Sequence, residues 1–208
     1  MRELVNSINE LKNSSVANVV NSRSKEFTTI QKKGNDAIFS ELCFCLLTAN
    51  FSASGGIKIQ NEVNDGFFTL PNDQLAKKLA ELGHRFPNTR AKYIVESRLK
   101  MDELFKLLKE VDDELVLRNW LVKSIKGLGM KESSHFLRNI GFQNLAIIDF
   151  HIIDILVKYR LIEKPKNLSP KKYLEIENVL RKIANETGLK LGKLDLYLWY
   201  LETGKILK

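Results

Sequence analysis

The chain has 208 residues, of which 44% are hydrophobic and 28% charged, enough apolar material for a buried core and too much for a disordered chain. A net charge of +8 and a sequence pI near 9.4 suit a polyanionic partner such as nucleic acid, or else describe an unspecialised basic surface. The opening MRELVNSINELKNS lacks the apolar core of a secretory signal. No apolar run reaches the length of about 18 residues that a membrane span needs, so a cytoplasmic protein without a membrane partner is expected.

Helical periodicity dominates from one end to the other. Cys43 and Cys45 fall two apart in LCFCLL, where a helix points them to different faces, so they read as packed side chains rather than a bonded pair. Two cysteines also cannot supply the four thiolates of an iron–sulfur cluster. Gly55-Gly56 marks a turn or a close backbone approach. FFTLP around Phe67 reads as briefly extended, and Asn72 behind Pro71 reads as the cap of a helix carrying Leu75, Leu79 and Leu82. Asp112 or Asp113 starts another, with Leu117, Leu121 and Ile125 stacked at spacing four. AIID around Ile147 reads as a second short extended piece. Ser169-Pro170 is a cap followed by proline at the first helical position, and the stretch from Leu189 to Leu201 sets Leu194, Leu198 and Leu201 on one face. No alternating strand pattern persists, and no linker-like tract divides the chain. The expectation is ten to twelve short helices in an all-α protein, with residues 1–208 forming one unit of two interleaved helical lobes.

The stretch NWLVKSIKGLGMKESSHFLRNIGF carries the chemistry. Gly127 and Gly129 sit between two amphipathic patterns, where glycine permits positive φ and lets backbone N–H groups approach a phosphate at the positive end of the next helix. Alone, such a glycine pair is merely a turn. Flanked by Lys123, Lys126 and Lys131, it makes a helix–hairpin–helix over about 113–140, a device that grips a DNA backbone without reading bases. Lys131 falls in the first turn of the second helix, where positive charge is misplaced. It is either a solvated phosphate contact or an amine that the dipole holds neutral and nucleophilic. Eighteen residues further on, AIIDFHIIDIL sets Asp149 at the mouth of another helix, as an N-cap or as a carboxylate that assists deprotonation and stabilises positive charge on a sugar ring.

G-x-G-x-K followed by an apolar run and Asp-x-His is similar to the helix–hairpin–helix DNA glycosylase superfamily. The segments ELCFCLLTANFSASGGIKIQ, GHRFPNTRAKYIVESR, KKYLEIENVLRKI and LDLYLWYLETGKILK extend the likeness over essentially the whole chain, which resembles the short, archaeal-type class of 8-oxoguanine DNA glycosylase/AP lyases. The resemblance implies Lys131 as nucleophile, Asp149 as the catalytic carboxylate and His151 as structural support. It implies that Asn50 enters the gap in the duplex or contacts the opposite base, although a helix-terminal cap is the bland alternative. It implies that Phe86 and Trp199 line the pocket for the extruded base, although periodicity by itself places Trp199 in the core. Lys208 is implied to help tell 8-oxoguanine from guanine; oxidation turns N7 into an N–H donor, which the acceptor-only carboxylate of Lys208 suits, with its amine as a second contact. No metal and no cofactor are expected, because the amine is itself the nucleophile. The expected partner is double-stranded DNA containing 8-oxoguanine, bound by a monomer. A glycosylase for another damaged or mispaired base, or a helix–hairpin–helix module without catalysis, are the rival readings.

Overall fold

Apolar side chains recurring every three to four residues commit this chain to helices, and the computed structural model, which describes residues 1–208, contains thirteen. In chain order they are α1 (Arg2–Lys12), α2 (Val16–Ile30), α3 (Asn35–Thr48), α4 (Ala53–Val63), α5 (Gly66–Thr69), α6 (Asn72–Glu81) and α7 (Pro87–Arg98). There follow α8 (Met101–Glu110), α9 (Glu114–Ser124), α10 (Met130–Asn139), α11 (Phe150–Lys158), α12 (Pro170–Thr187) and α13 (Leu191–Thr203). There is no strand, and no helix is long and apolar enough to cross a membrane.

The additional helix is α5, where FFTLP was expected to be extended. Thr69 N–H and Leu70 N–H reach back to the carbonyls of Asp65 and Gly66, closing one α-turn around buried Phe67. A short apolar run has no period long enough to separate strand from buried helix. Only Leu70 and Pro71 of this segment are extended, the residue before a proline being biased that way. The cap of α6 also moves. Pro71 occupies that position, and Asn72 is already helical, its Nδ2 donating to Asp73 Oδ1 at 3.1 Å. The expected caps at Asp113 and Ser169 form: Asp113 accepts from Leu115 and Val116 N–H, and Ser169 from Lys172 N–H.

Two compact units divide the chain. One combines both chain ends, residues 1–29 and 141–208, and the other is the intervening 30–140. The inserted unit is organised around α3, in which every residue from Glu41 to Thr48 is buried, the mark of a helix that is core on all sides. Cys43 and Cys45 lie there as fully buried thiols, and burial pushes the Cys43 thiol well above its ordinary pKa. Buried Glu41 accepts from Gln60 of α4 and, through its other oxygen, from Asn139 of α10, pinning both helices to α3.

The other unit packs α11 on α13 and α1 on α12. Its distinctive element is the chain from Leu145 to Asp149, in neither helix nor sheet though buried from Leu145 to Ile148, so its backbone must find side chains instead. Two residues of α12 provide them. Tyr173 Oη donates to Ala146 O at 2.7 Å and accepts from Ile148 N–H, while Glu177 Oε2 accepts from Ala146 N–H at 3.0 Å. Tyr173→Phe is therefore expected to cost about 1–3 kcal/mol, measured by chemical denaturation, because it strips two buried backbone groups of a partner.

Candidate functional site

In the inserted unit, α9 ends where Ile125 turns extended, and a tight turn follows, closed by Leu128 N–H on Ile125 O at 3.2 Å. Gly127 has φ +95°, and a Cβ there would collide with the Tyr93 ring, so glycine is required on two counts. Gly129 departs from expectation. Its φ of −92° and ψ of −170° are ordinary extended backbone, open to any residue. Its amide is also occupied, donating to Glu132 Oε2 at 3.3 Å. The chain thus places a carboxylate of its own at the hairpin's positive end, while the first-turn amides of Met130 and Lys131 have no acceptor within the helix. Lys123 and Lys126 are exposed beside it.

Lys131 is the second residue of α10, with its side chain 23% exposed and its Nζ 3.7 Å from Glu132 Oε1. The amine is sheltered, accessible, and next to one charge of opposite sign. Two helices joined by a glycine-dependent turn, with lysines on both sides and a half-buried amine on the second, define a helix–hairpin–helix protein with a basic hairpin of the kind that addresses a nucleic-acid backbone.

Asn50 and Phe86 belong to the same unit. Asn50 is exposed and left-handed at φ +60°, a conformation asparagine tolerates better than most residues, and it lies just past the end of α3. Phe86, 38% exposed, immediately precedes α7, with the Arg85 guanidinium 5.1 Å over its ring. His84 lies between these segments. Its Nε2 is 2.9 Å from Leu47 O, its Nδ1 accepts from Phe86 N–H at 3.0 Å, and its ring stacks on Phe51 at 4.4 Å. Burial lowers the His84 pKa, against the opposing pull of the Leu47 carbonyl, and the Arg90 charge lowers it further. Arg90 of α7 donates to Ala49 O at 2.6 Å.

The remaining candidates lie in the unit made from the chain ends. Asp149 is the N-cap of α11, its Oδ1 accepting from Ile152 N–H at 2.9 Å, which leaves further acceptor capacity on the carboxylate. His151 meets the half-buried Trp199 of α13 edge-to-face at 4.6 Å and stacks on the 65% exposed Phe150 at 3.9 Å. Trp199 is therefore neither core nor surface, and its indole Nε1 is buried without an acceptor. Lys208 is half-buried.

Sequence reading passed over Glu132, His84 and Arg90. A signal existed for Glu132, because a glutamate three residues after a cap position is the usual partner of the cap's own amide. None existed for the other two, whose partners lie 37 and 41 residues away.

The family model described as 8-oxoguanine DNA glycosylase matches residues 20–189. The chain is 54% identical to the 8-oxoguanine DNA glycosylase/AP lyase of Korarchaeum cryptofilum over 99% of its own length and 98% of the relative's. It superposes on the Methanocaldococcus jannaschii 8-oxoguanine glycosylase/lyase, solved with a 15mer DNA containing 8-oxoguanine, with a TM-score of 0.96 at 51% identity, covering 99% of this chain and 100% of that one. The Thermotoga maritima 8-oxoguanine DNA glycosylase matches with a TM-score of 0.93 at 44% identity, covering 100% and 99%. The chain belongs to the 8-oxoguanine DNA glycosylase family.

The two hairpin glycines should respond differently to substitution. Gly127→Ala is expected to lower stability by about 1–3 kcal/mol through its positive φ and the Tyr93 collision. Gly129→Ala should stay within about 0.5 kcal/mol of wild type, since its conformation suits alanine and only the flexible Glu132 carboxylate lies near. Urea unfolding of the two variants separates these outcomes.

Proposed function

We propose that this protein excises 8-oxoguanine from double-stranded DNA and then cleaves the strand at the abasic site, with Lys131 as the nucleophile. The observation that carries the reading is the full-length likeness to a glycosylase/lyase solved with lesion-containing DNA, together with a lysine in the first turn behind the hairpin. The lesion leaves the base stack, since its sugar carbon is hidden inside the duplex. The Lys131 amine attacks C1′, the glycosidic bond breaks, and the base departs with the bonding electrons. The departing base takes up the proton the amine gives up; the C1′–O4′ bond of the sugar then opens, O4′ leaving as a hydroxyl, to give a protonated Schiff base that acidifies the C2′ hydrogens, so that loss of one of them expels the 3′ phosphate by β-elimination.

The other residues take supporting roles in this reading. Asp149, oriented by its cap to Ile152, stabilises the positive charge that grows on the sugar and assists deprotonation of the amine. The hairpin turn at Gly127 and Gly129 and the first amides of α10 address a backbone phosphate. Asn50 fills the gap left in the duplex. Phe86 and Trp199 provide stacking surface for the extruded base, Lys208 serves discrimination against guanine, and the orphaned Trp199 Nε1 is a donor available to a ligand.

Lys131→Gln is expected to abolish base release and borohydride-dependent trapping while leaving DNA affinity intact; crosslinking retained in that variant would overturn the assignment. Asp149→Asn keeps the helix cap, since asparagine caps as well as aspartate, and so isolates the chemistry. It should slow single-turnover excision by roughly 10²–10⁴-fold, the range for a positioned acid–base group, and an unchanged rate would leave Asp149 a cap alone. Deleting Lys208, which displaces its carboxylate, should erode the preference for 8-oxoguanine over guanine more than affinity for duplex DNA, read in parallel excision and binding assays.

A further inference from the structure

The last carbonyls of a helix have no donor within it, and α3 ends against the segment that carries Asn50. Three carbonyls in succession are satisfied from outside the helix. Leu47 O is bonded by His84, Thr48 O by the Phe51 N–H at 3.2 Å, and Ala49 O by Arg90. His84 does more than cap. A carbonyl can only accept and a backbone amide can only donate, so bonds to Leu47 O and Phe86 N–H require a neutral ring protonated at Nε2. That single ring joins the backbone three residues before Asn50 to the backbone of Phe86, and it is buried, 4% exposed, with Phe51 stacked upon it. Asn50 and Phe86 are themselves exposed, so their placement rests on such backbone anchors rather than on packing of their own side chains.

We propose that His84 is a positioning residue that makes Asn50 and Phe86 parts of one rigid element, so that filling of the duplex gap and stacking on the extruded base occur as one event. The inference rests on the reading of Asn50 and Phe86 as DNA and base contacts. Without the imidazole, each segment samples other conformations independently, and extrusion slows in proportion to the fraction of molecules that hold both in place. Contact of the hairpin with phosphates does not pass through His84, so affinity for undamaged duplex is spared.

The test is stopped-flow fluorescence of 2-aminopurine placed beside 8-oxoguanine in a duplex, with the full-length protein carrying Lys131→Gln so that extrusion is followed without chemistry. His84→Ala removes both bonds. His84→Asn retains an acceptor oxygen close to the Nδ1 position for Phe86 N–H and loses the bond to Leu47. Extrusion is expected to slow about ten-fold in His84→Ala, the scale of one or two lost buried bonds, and to recover in part in His84→Asn. Affinity for undamaged duplex should hold within about two-fold. Wild-type extrusion by His84→Asn and His84→Ala, or by His84→Asn with a cooperative melt where His84→Ala does not fold, overturns the proposal. So does an equal loss of undamaged-duplex affinity, which marks a general structural defect. Asn50→Ala and Phe86→Ala, measured alongside, separate the two levels of the argument. If neither slows extrusion, the reading of those residues as DNA contacts fails and takes the proposal with it. If both slow it and the His84 variants do not, the positioning role alone fails.

Discussion

Backbone amides and carbonyls at a helix end have no partner inside the helix, and a chain of thirteen short helices has many such ends to satisfy. Most of the functional candidates sit at those ends. Asn50 follows α3, Phe86 precedes α7, Gly127, Gly129 and Lys131 bracket the start of α10, and Asp149 caps α11. The same unsatisfied groups that threaten stability are the ones a nucleic acid can use. N-terminal amides suit phosphate, and C-terminal carbonyls fix a turn that holds a side chain outward.

How each end is satisfied differs with its task. At α3 the carbonyls of Leu47 and Ala49 are closed by side chains from a distant segment, and the turn that follows is exposed at Asn50. At α10 one hairpin amide is occupied by the chain's own Glu132, whose second oxygen lies 3.7 Å from the Lys131 amine. The carboxylate therefore stands between the hairpin turn and the Lys131 amine, and both lie within reach of the same local charge. At α11 the cap is the carboxylate itself, so Asp149 is oriented by the helix whose orphan amide it satisfies. Capping is compatible with the chemical role proposed for this residue. The cap fixes the direction in which its remaining lone pairs act.

The buried polar residues serve these ends. Glu41 ties α4 and α10 to the apolar α3, and Tyr173 with Glu177 replaces a missing sheet partner along the chain that delivers Asp149. In each case a buried acceptor or donor is paired, which is the condition for placing it in a low-dielectric interior without loss of stability.

Helical class, the hairpin, the place of Lys131 in the first turn behind it and the caps at Asp113 and Ser169 were legible in the sequence, because they depend on spacings of one to four residues that any helix reproduces. So was the need for glycine at Gly127, whereas the same reading failed at Gly129, whose backbone is extended; only tertiary structure shows the Tyr93 ring that also excludes a side chain at Gly127. Phe67 was misread as extended because three or four apolar residues do not define a period, and the outcome was decided by burial of its ring. The roles of His84, Arg90, Glu41 and Tyr173 were out of reach for one common reason. Each is defined by a partner between about 20 and 100 residues away, and a hydrogen bond at that separation exists only once the chain has folded to bring its two atoms within 3.5 Å.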